Sequence, residues 1–219
     1  MDLGLKGMRA VVTGGSKGIG RAVVDMLADE GCNVAICARD AAGVEATVKA
    51  TVAKGVKAVG RALDVADSDA LKSWIDDVAK TFGGLDIVIC NVSALAVGDT
   101  AESWDKSFRV DMMHTVSAVN AAVPYLEKSK AASVIVVSSV SGFEVDFAAG
   151  SYGATKAALI HYAKGLSQQL CGKGIRANAV SPGNTYIEGG IWNQIETDMP
   201  DLFQSTLAAN PTGRLGTAK

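Results

Sequence analysis

Tyr152 and Lys156 stand four residues apart at the start of an apolar helical pattern, a spacing that stacks both side chains on one helix face. A neutral phenol is too weak an acid to protonate an alkoxide near neutral pH. A neighbouring ammonium stabilises the phenolate and draws its pKa down toward working pH. The pair therefore reads as a general acid/base, although a Tyr and a Lys at this spacing also occur as plain decoration of a solvated helix.

A second group of chemistry-bearing residues lies near the N-terminus. After the apolar run Ala10-Val11-Val12 comes Thr13-Gly14-Gly15-Ser16-Lys17-Gly18-Ile19-Gly20, and then a helical pattern. Glycines at 14, 18 and 20 permit a tight turn, close approach of backbone to a pyrophosphate, and close packing of helix on strand. The helix N-terminus favours the phosphate charge. Gly14, Ser16, Lys17, Gly18, Ile19 and Gly20 are thus expected to cradle a dinucleotide. Two other readings of the same letters fail. A nucleoside-triphosphate loop would need Lys and Ser/Thr where Arg21-Ala22 stand. A nucleophile elbow through Ser16 would need an Asp and then a His on a loop, whereas the two histidines, His114 and His161, fall inside helical patterns and read as surface or packing residues.

The second apolar run ends Cys37-Ala38-Arg39-Asp40. Arg39 together with Lys17 would pair with a ribose 2′-phosphate, so NADP(H) is favoured over NAD(H); Asp40, the next residue, could face a ribose hydroxyl instead. Asp64-Val65, after the third run, could bound the adenine, or the Asp could cap a helix.

The elements that must carry these residues alternate. Short apolar runs at 10–12, 34–37, 87–90, 134–137 and 177–180, with a weaker one at 58–63, read as strands buried on both faces. Between them, 21–30, 41–53, 68–82, 102–126 and 152–170 carry helix-spaced apolar residues, the fourth as one unbroken pattern through Trp104, Phe108, Met112, Val116, Val119, Val123 and Leu126. Sustained alternation implies a parallel, doubly wound α/β sheet with helices on both faces, its ligand beyond the strands' carboxyl ends. At 219 residues and 48% hydrophobic content, one domain spanning 1–219 is the default. A net charge of −2 without a basic cluster argues against nucleic acid or a membrane surface and leaves a small molecule as partner. With no signal-peptide core and no apolar run near the roughly 20 residues of a spanning helix, a cytoplasmic protein is expected. Cys32, Cys37, Cys90 and Cys171 form no Cys-x-x-Cys pair and sit in or beside apolar segments, so buried thiols are expected and no metal.

Taken in order, Thr13-Gly14-x-x-x-Gly18-x-Gly20, Asp64, Asn91, Ser139, Tyr152-x-x-x-Lys156 and Pro182-Gly183 resemble a short-chain dehydrogenase/reductase of the 3-oxoacyl-carrier-protein-reductase type, over the chain from about Leu5 to its end. The 13-position spacing from Ser139 to Tyr152 is the specific part of that likeness, and it favours Ser139 over Ser138 and Ser141. The resemblance implies a Rossmann-like fold and an NADP(H)-dependent interconversion of a ketone and a secondary alcohol. In it Tyr152 is the acid/base, Ser139 bonds the substrate oxygen, and Lys156 both lowers the tyrosine pKa and binds the nicotinamide ribose. It further implies that Asn91 braces the nucleotide ribose, that Pro182, Gly183 and Thr185 lie along the nicotinamide, and that helices 102–126 and 152–170 build a homodimer or homotetramer. As hydride reaches a carbonyl carbon, donors from Ser139 and Tyr152 would stabilise and protonate the developing alkoxide.

Three departures from the family pattern stand out. Its Asn-Asn-Ala-Gly reads Cys90-Asn91-Val92-Ser93 here, exchanging a permissive glycine for serine. Asp111 replaces an asparagine thought to hold a relay water through its backbone, and a carboxylate there could shift the titration of Tyr152 and Lys156. Beyond Gly213-Arg214-Leu215-Gly216-Thr217 the family's further helix and final strand do not follow, so either the sequence is truncated or the sheet lacks its last strand. Residues 184–209 show no clean periodicity and suit a mobile lid whose Tyr186, Ile187, Ile191, Trp192, Met199 and Phe203 favour an apolar aliphatic, acyl or ring ketone. Competing readings are a nucleotide-binding protein that has lost turnover through these departures, and a methyltransferase, which needs an acidic residue where Arg39 stands.

Overall fold

Strand residues buried on both faces need a cover on both, and the core divides accordingly. In a computed structural model that describes residues 2–218, Val11, Ala35, Val88 and Val134 belong to one apolar cluster, while their chain neighbours Ala10, Val34 and Ile87 belong to a second. That is the period-2 alternation of a strand between two layers. Six strands among the described residues, β1 (Arg9–Thr13), β2 (Asn33–Ala38), β3 (Ala58–Ala62), β4 (Ile87–Cys90), β5 (Ser133–Val137) and β6 (Arg176–Val180), pair in parallel in the order β3-β2-β1-β4-β5-β6. Helices α1 (Gly18–Asp29) and α2 (Ala41–Val52) cover one face through Val24, Leu27 and Val44. Helices α3 (Ser68–Phe82), α5 (His114–Leu126) and α6 (Ser151–Leu170) cover the other through residues such as Trp74, Leu126 and Leu159. This is the doubly wound parallel sheet expected from the sequence. From β1 the chain winds outward through β2 and β3, then returns to β4 and winds the other way. The carboxyl ends of β1 and β4 therefore flank the crevice where such folds take ligands.

The single helix expected over 102–126 is three pieces: α4 (Ala101–Ser107), a π-turn over Phe108–Met113, and α5. A π-turn accommodates one residue more than an α-turn, so it rotates the residues after it relative to those before it. Here it buries Asp111 and His114 together, although Phe108 just before them is 55% exposed.

The chain divides into two compact units, up to Ser181 and from Pro182. In the second, the stretch read as irregular forms two helices, α7 (Ile191–Asp198) and α8 (Pro200–Ala209), with Pro200 at the first helical position, where its missing N–H costs nothing. Their apolar residues Trp192, Ile195 and Phe203 gather with Leu215 into a small core. Tyr186 packs edge-on against Phe203, with ring centroids 6.3 Å apart. The unit is tied at its base, where Tyr186 N–H donates to Gly216 O and Gly216 N–H to Asn184 O, both at 2.8 Å.

Cys32, Cys37 and Cys90 are buried, and burial leads the rise of each thiol to about 12. Cys171, expected to be buried, is exposed, because it sits in the 3-10 turn where α6 ends.

Candidate active site

The glycine turn leaves β1 and enters α1 with Gly14 and Gly18 at φ of +68° and +62°, conformations that favour glycine. A Cβ on Gly20 would run into Gly14 O and Asn91 Nδ2. The turn is held from β4: Asn91 N–H donates to Thr13 Oγ at 3.0 Å, and its side-chain amide donates to Thr13 O at 3.1 Å and Gly14 O at 3.3 Å. The Asn91 amide nitrogen, expected to brace a ribose, thus braces the turn itself. Unlike α2, α3 and α4, which are capped by Asp40, Asp67 and Thr100, α1 has no side chain on its first-turn amides, leaving Gly18, Ile19 and Gly20 at an open, electropositive end.

Lys17 and Arg39 are both exposed, and neither side chain makes a hydrogen bond or ion pair among the described residues. Asp40 is engaged otherwise: its carboxylate accepts from Ala42 N–H at 3.2 Å and Gly43 N–H at 3.1 Å, capping α2. Asp64 does not cap a helix: its side chain accepts from Ala66 N–H at 2.9 Å in a local turn, while Asp67 caps α3. Val65 buries its side chain in the core.

Beyond β5, the three serines separate by what they bond. Ser138 Oγ donates to Lys156 O at 2.7 Å and so joins β5 to α6. Ser141 Oγ donates to Asp146 Oδ2 at 2.7 Å. Ser139 Oγ accepts from Ser141 N–H at 3.2 Å, capping a short 3-10 turn, and hydrogen-bonds the Tyr152 phenol. Gly150, at φ +93°, and the bridge between Gly98 and Gly150 set the start of α6, where Ser151 Oγ donates to Ala96 O at 2.7 Å. From that start Tyr152 and Lys156 lie side by side, with Lys156 Nζ 5.5 Å from the Tyr152 ring centre.

The Lys156 ammonium is not free to act on Tyr152 alone. It lies 3.1 Å from Asp111 Oδ1 and donates to Val137 O at 3.3 Å, with its side chain 2% exposed and that of Asp111 1%. Burial lowers the Lys156 pKa, and Asp111 opposes that shift. The Tyr152 pKa is raised, not lowered as the spacing alone suggested. Burial leads, the Ser139 hydrogen bond opposes it, and the charges of Asp111 and Asp146 add to the rise. Burial of the phenol is the larger cause, and a buried carboxylate also offsets the field of the ammonium it touches.

His114, read as a surface or packing residue, is buried behind the glycine turn. Its Nδ1 lies 2.6 Å from Val110 O, which can only accept, so Nδ1 carries the proton. Its Nε2 then accepts from Thr13 Oγ at 3.2 Å. Burial pushes its pKa down to about 4, so the ring is neutral. Neither this role nor the Asp111 contact has a signal in residue spacing, because both depend on the π-turn. Two residues beyond Ser93, Leu95 takes φ +48°, in the left-handed region. Pro182, Gly183 and Thr185 open the second unit, where Thr185 Oγ donates to Gly183 O at 3.1 Å.

A family model for the short chain dehydrogenases matches residues 8–198. The chain belongs to the short-chain dehydrogenase family. Among its relatives, isoepoxydon dehydrogenase patN of Penicillium expansum is 40% identical over 220 aligned positions, 99% of this chain and 85% of that protein. The 3-oxoacyl-acyl-carrier-protein reductase FabG of Staphylococcus aureus is 34% identical over 94% of this chain and 84% of its own length. Among solved structures, a short chain dehydrogenase from Burkholderia cenocepacia in complex with NADP superposes with a TM-score of 0.88 at 32% identity, covering 98% of this chain and 86% of that one. This short-chain dehydrogenase is accordingly an enzyme of the oxidoreductase class acting on a small molecule. No helix among its described residues is long and apolar enough to cross a membrane.

Proposed function

We propose that this short-chain dehydrogenase is an NADP(H)-dependent oxidoreductase that interconverts a ketone and a secondary alcohol, with Tyr152 as general acid/base. The observation that carries the reading is the grouping of Ser139 and Lys156 about Tyr152, together with a glycine turn whose helix end is uncapped. Ser139 and Tyr152 would hold the substrate oxygen between two hydroxyl donors, so that charge developing there meets fixed dipoles rather than reorganising water. Tyr152 then gives its proton to that oxygen in reduction and takes it back in oxidation. The nicotinamide supplies the hydride.

Lys156 would contact the nicotinamide ribose, Pro182, Gly183 and Thr185 the nicotinamide, and Asp64 and Val65 the adenine. The turn from Gly14 through Ser16 to Gly20 would take the pyrophosphate. The engagement of the Asp40 carboxylate in capping α2, with Lys17 and Arg39 unpaired beside it, supports a 2′-phosphate over a bare ribose hydroxyl. The NADP bound by the Burkholderia relative agrees with that preference.

Leu95 and Val97 after β4, and Phe143 and Val145 after β5, are exposed at the same end of the sheet, Val145 by 93%. Such a rim suits an apolar ketone, as do relatives named for isoepoxydon and 3-oxoacyl groups. Exposed Trp104, Phe108 and Met113 along α4 and the π-turn support a homodimer or homotetramer through that face. The reading is tested by titrating NADPH against protein fluorescence and then following NADPH absorbance with a panel of ring, acyl and aliphatic ketones. Saturable binding with oxidation by at least one member supports it; binding with no turnover of any ketone identifies a nucleotide-binding protein instead.

A further inference from the structure

We propose that Asp111 is a positioning residue which, by pairing with Lys156 in the protein interior, reserves Tyr152 as a proton donor and so extends carbonyl reduction to higher pH. This rests on the function proposed above. Three oxygens of Asp111 are placed by separate contacts. Its carbonyl accepts from Thr115 Oγ at 2.8 Å, Oδ2 accepts from Ala94 N–H at 2.8 Å, and Oδ1 sits 3.1 Å from Lys156 Nζ. The last is an ion pair whose angle falls outside hydrogen-bond geometry, so Oδ1 has no hydrogen-bond partner among the described residues.

The carboxylate therefore performs two tasks that an amide could not combine. It anchors the segment carrying the left-handed Leu95, and it sets a negative charge against the Lys156 ammonium that faces Tyr152. The ionisable groups around this cluster are few: Lys156 and Tyr152 from α6, His114 from the turn after the π-turn, and Asp146 from the segment after β5. His114 is neutral, and the two oxygens of Asp146 accept from Ser141 Oγ and Ala148 N–H. Asp111 and Lys156 together thus present close to zero net charge to the phenol. A lone ammonium at this range would favour the phenolate.

Reduction consumes the phenol form and is lost as pH rises through the tyrosine pKa, whereas oxidation needs the phenolate and is gained there. Removing the Asp111 charge leaves the ammonium unopposed wherever Lys156 keeps its proton, and there both limbs move to lower pH. In Asp111→Asn the amide oxygen still accepts from Ala94 N–H, and the high-pH limb of reduction should fall by about one unit, with the rising limb of oxidation shifted equally. A merely structural role would lower the rate at every pH and leave the limbs in place, which would overturn the proposal.

A second readout needs no turnover. The ultraviolet phenolate signal of Tyr152 is isolated by subtracting Tyr152→Phe from wild type and Asp111→Asn/Tyr152→Phe from Asp111→Asn. A lower midpoint in Asp111→Asn supports the pairing even if no ketone is reduced, in which case the enzymatic reading alone fails. An unchanged midpoint refutes the pairing whatever the activity. Should Asp111→Asn not fold, Asp111→Ser removes the same charge with a smaller side chain and is read in the same two ways.

Discussion

Acidification from pH 7 to pH 5 should loosen this protein through His114. The imidazole has an ordinary pKa of 6.5 and is pushed down to about 4 in the fold, chiefly because burial disfavours the charged ring. A group that binds its proton more weakly in the folded state stabilises the fold above its unfolded pKa. That stability is lost as pH falls from 6.5 toward about 4, because the unfolded chain takes up the proton first. The full shift corresponds to roughly 3 kcal/mol, of which about 2 kcal/mol is lost between pH 7 and pH 5. For a chain of this size that is a fall of about 6 °C in Tm. The perturbation is His114→Gln, which keeps an amide able to donate and accept but cannot titrate. Thermal and urea unfolding of both proteins at pH 7 and pH 5 reads the effect. His161, exposed on α6, and the carboxylates are common to both and cancel. Wild type should lose about 2 kcal/mol more than the variant over this interval. Equal losses would show that His114 is protonated in the fold as readily as out of it, and that its bonds to Val110 O and Thr13 Oγ do not hold a neutral ring.

Two further outcomes follow from the glycine turn and its flank. Gly20→Ala places a Cβ against Gly14 O and Asn91 Nδ2, so the turn must open; NADPH affinity measured by fluorescence should fall at least tenfold, about 1.4 kcal/mol, while Tm falls by only a few degrees. Arg39→Asp should weaken NADPH by about 2 kcal/mol, close to thirtyfold, and leave NADH within about twofold, because in the proposed site only the 2′-phosphate would meet that guanidinium. Equal losses for both cofactors would place the 2′-phosphate elsewhere.

The doubly wound sheet was legible in the sequence because its strands are covered on both faces and so read as unbroken apolar runs between helical patterns. Tyr152, Lys156 and the glycine turn were legible because their chemistry depends on local spacing. What escaped depends on packing. The apolar rhythm of Trp104, Phe108 and Met112 runs through the π-turn without a break, since an inserted residue shifts the helix face by less than the width of its apolar stripe. With it escaped the burial of Asp111 against Lys156 and the turn of His114 toward Thr13. In the sequence Asp40 reads as a possible ribose ligand, and its role as the cap of α2 shows only in its bonds to Ala42 and Gly43, since an Asp after a strand satisfies either. Residues 184–209 looked irregular because their two helices are short and share one small core with Leu215, outside the window in which periodicity is counted.

The central claim is that the Tyr152 phenol is the proton donor, and a single-turnover experiment on Tyr152→Phe tests it most directly. Enzyme preloaded with NADPH is mixed with a ketone that wild type reduces, and nucleotide fluorescence is followed. The account predicts that the variant binds NADPH within about twofold of wild type and reduces the ketone at least a thousandfold more slowly, within the range expected for loss of a general acid. Hydride transfer at a rate near wild type, with binding intact, would contradict it.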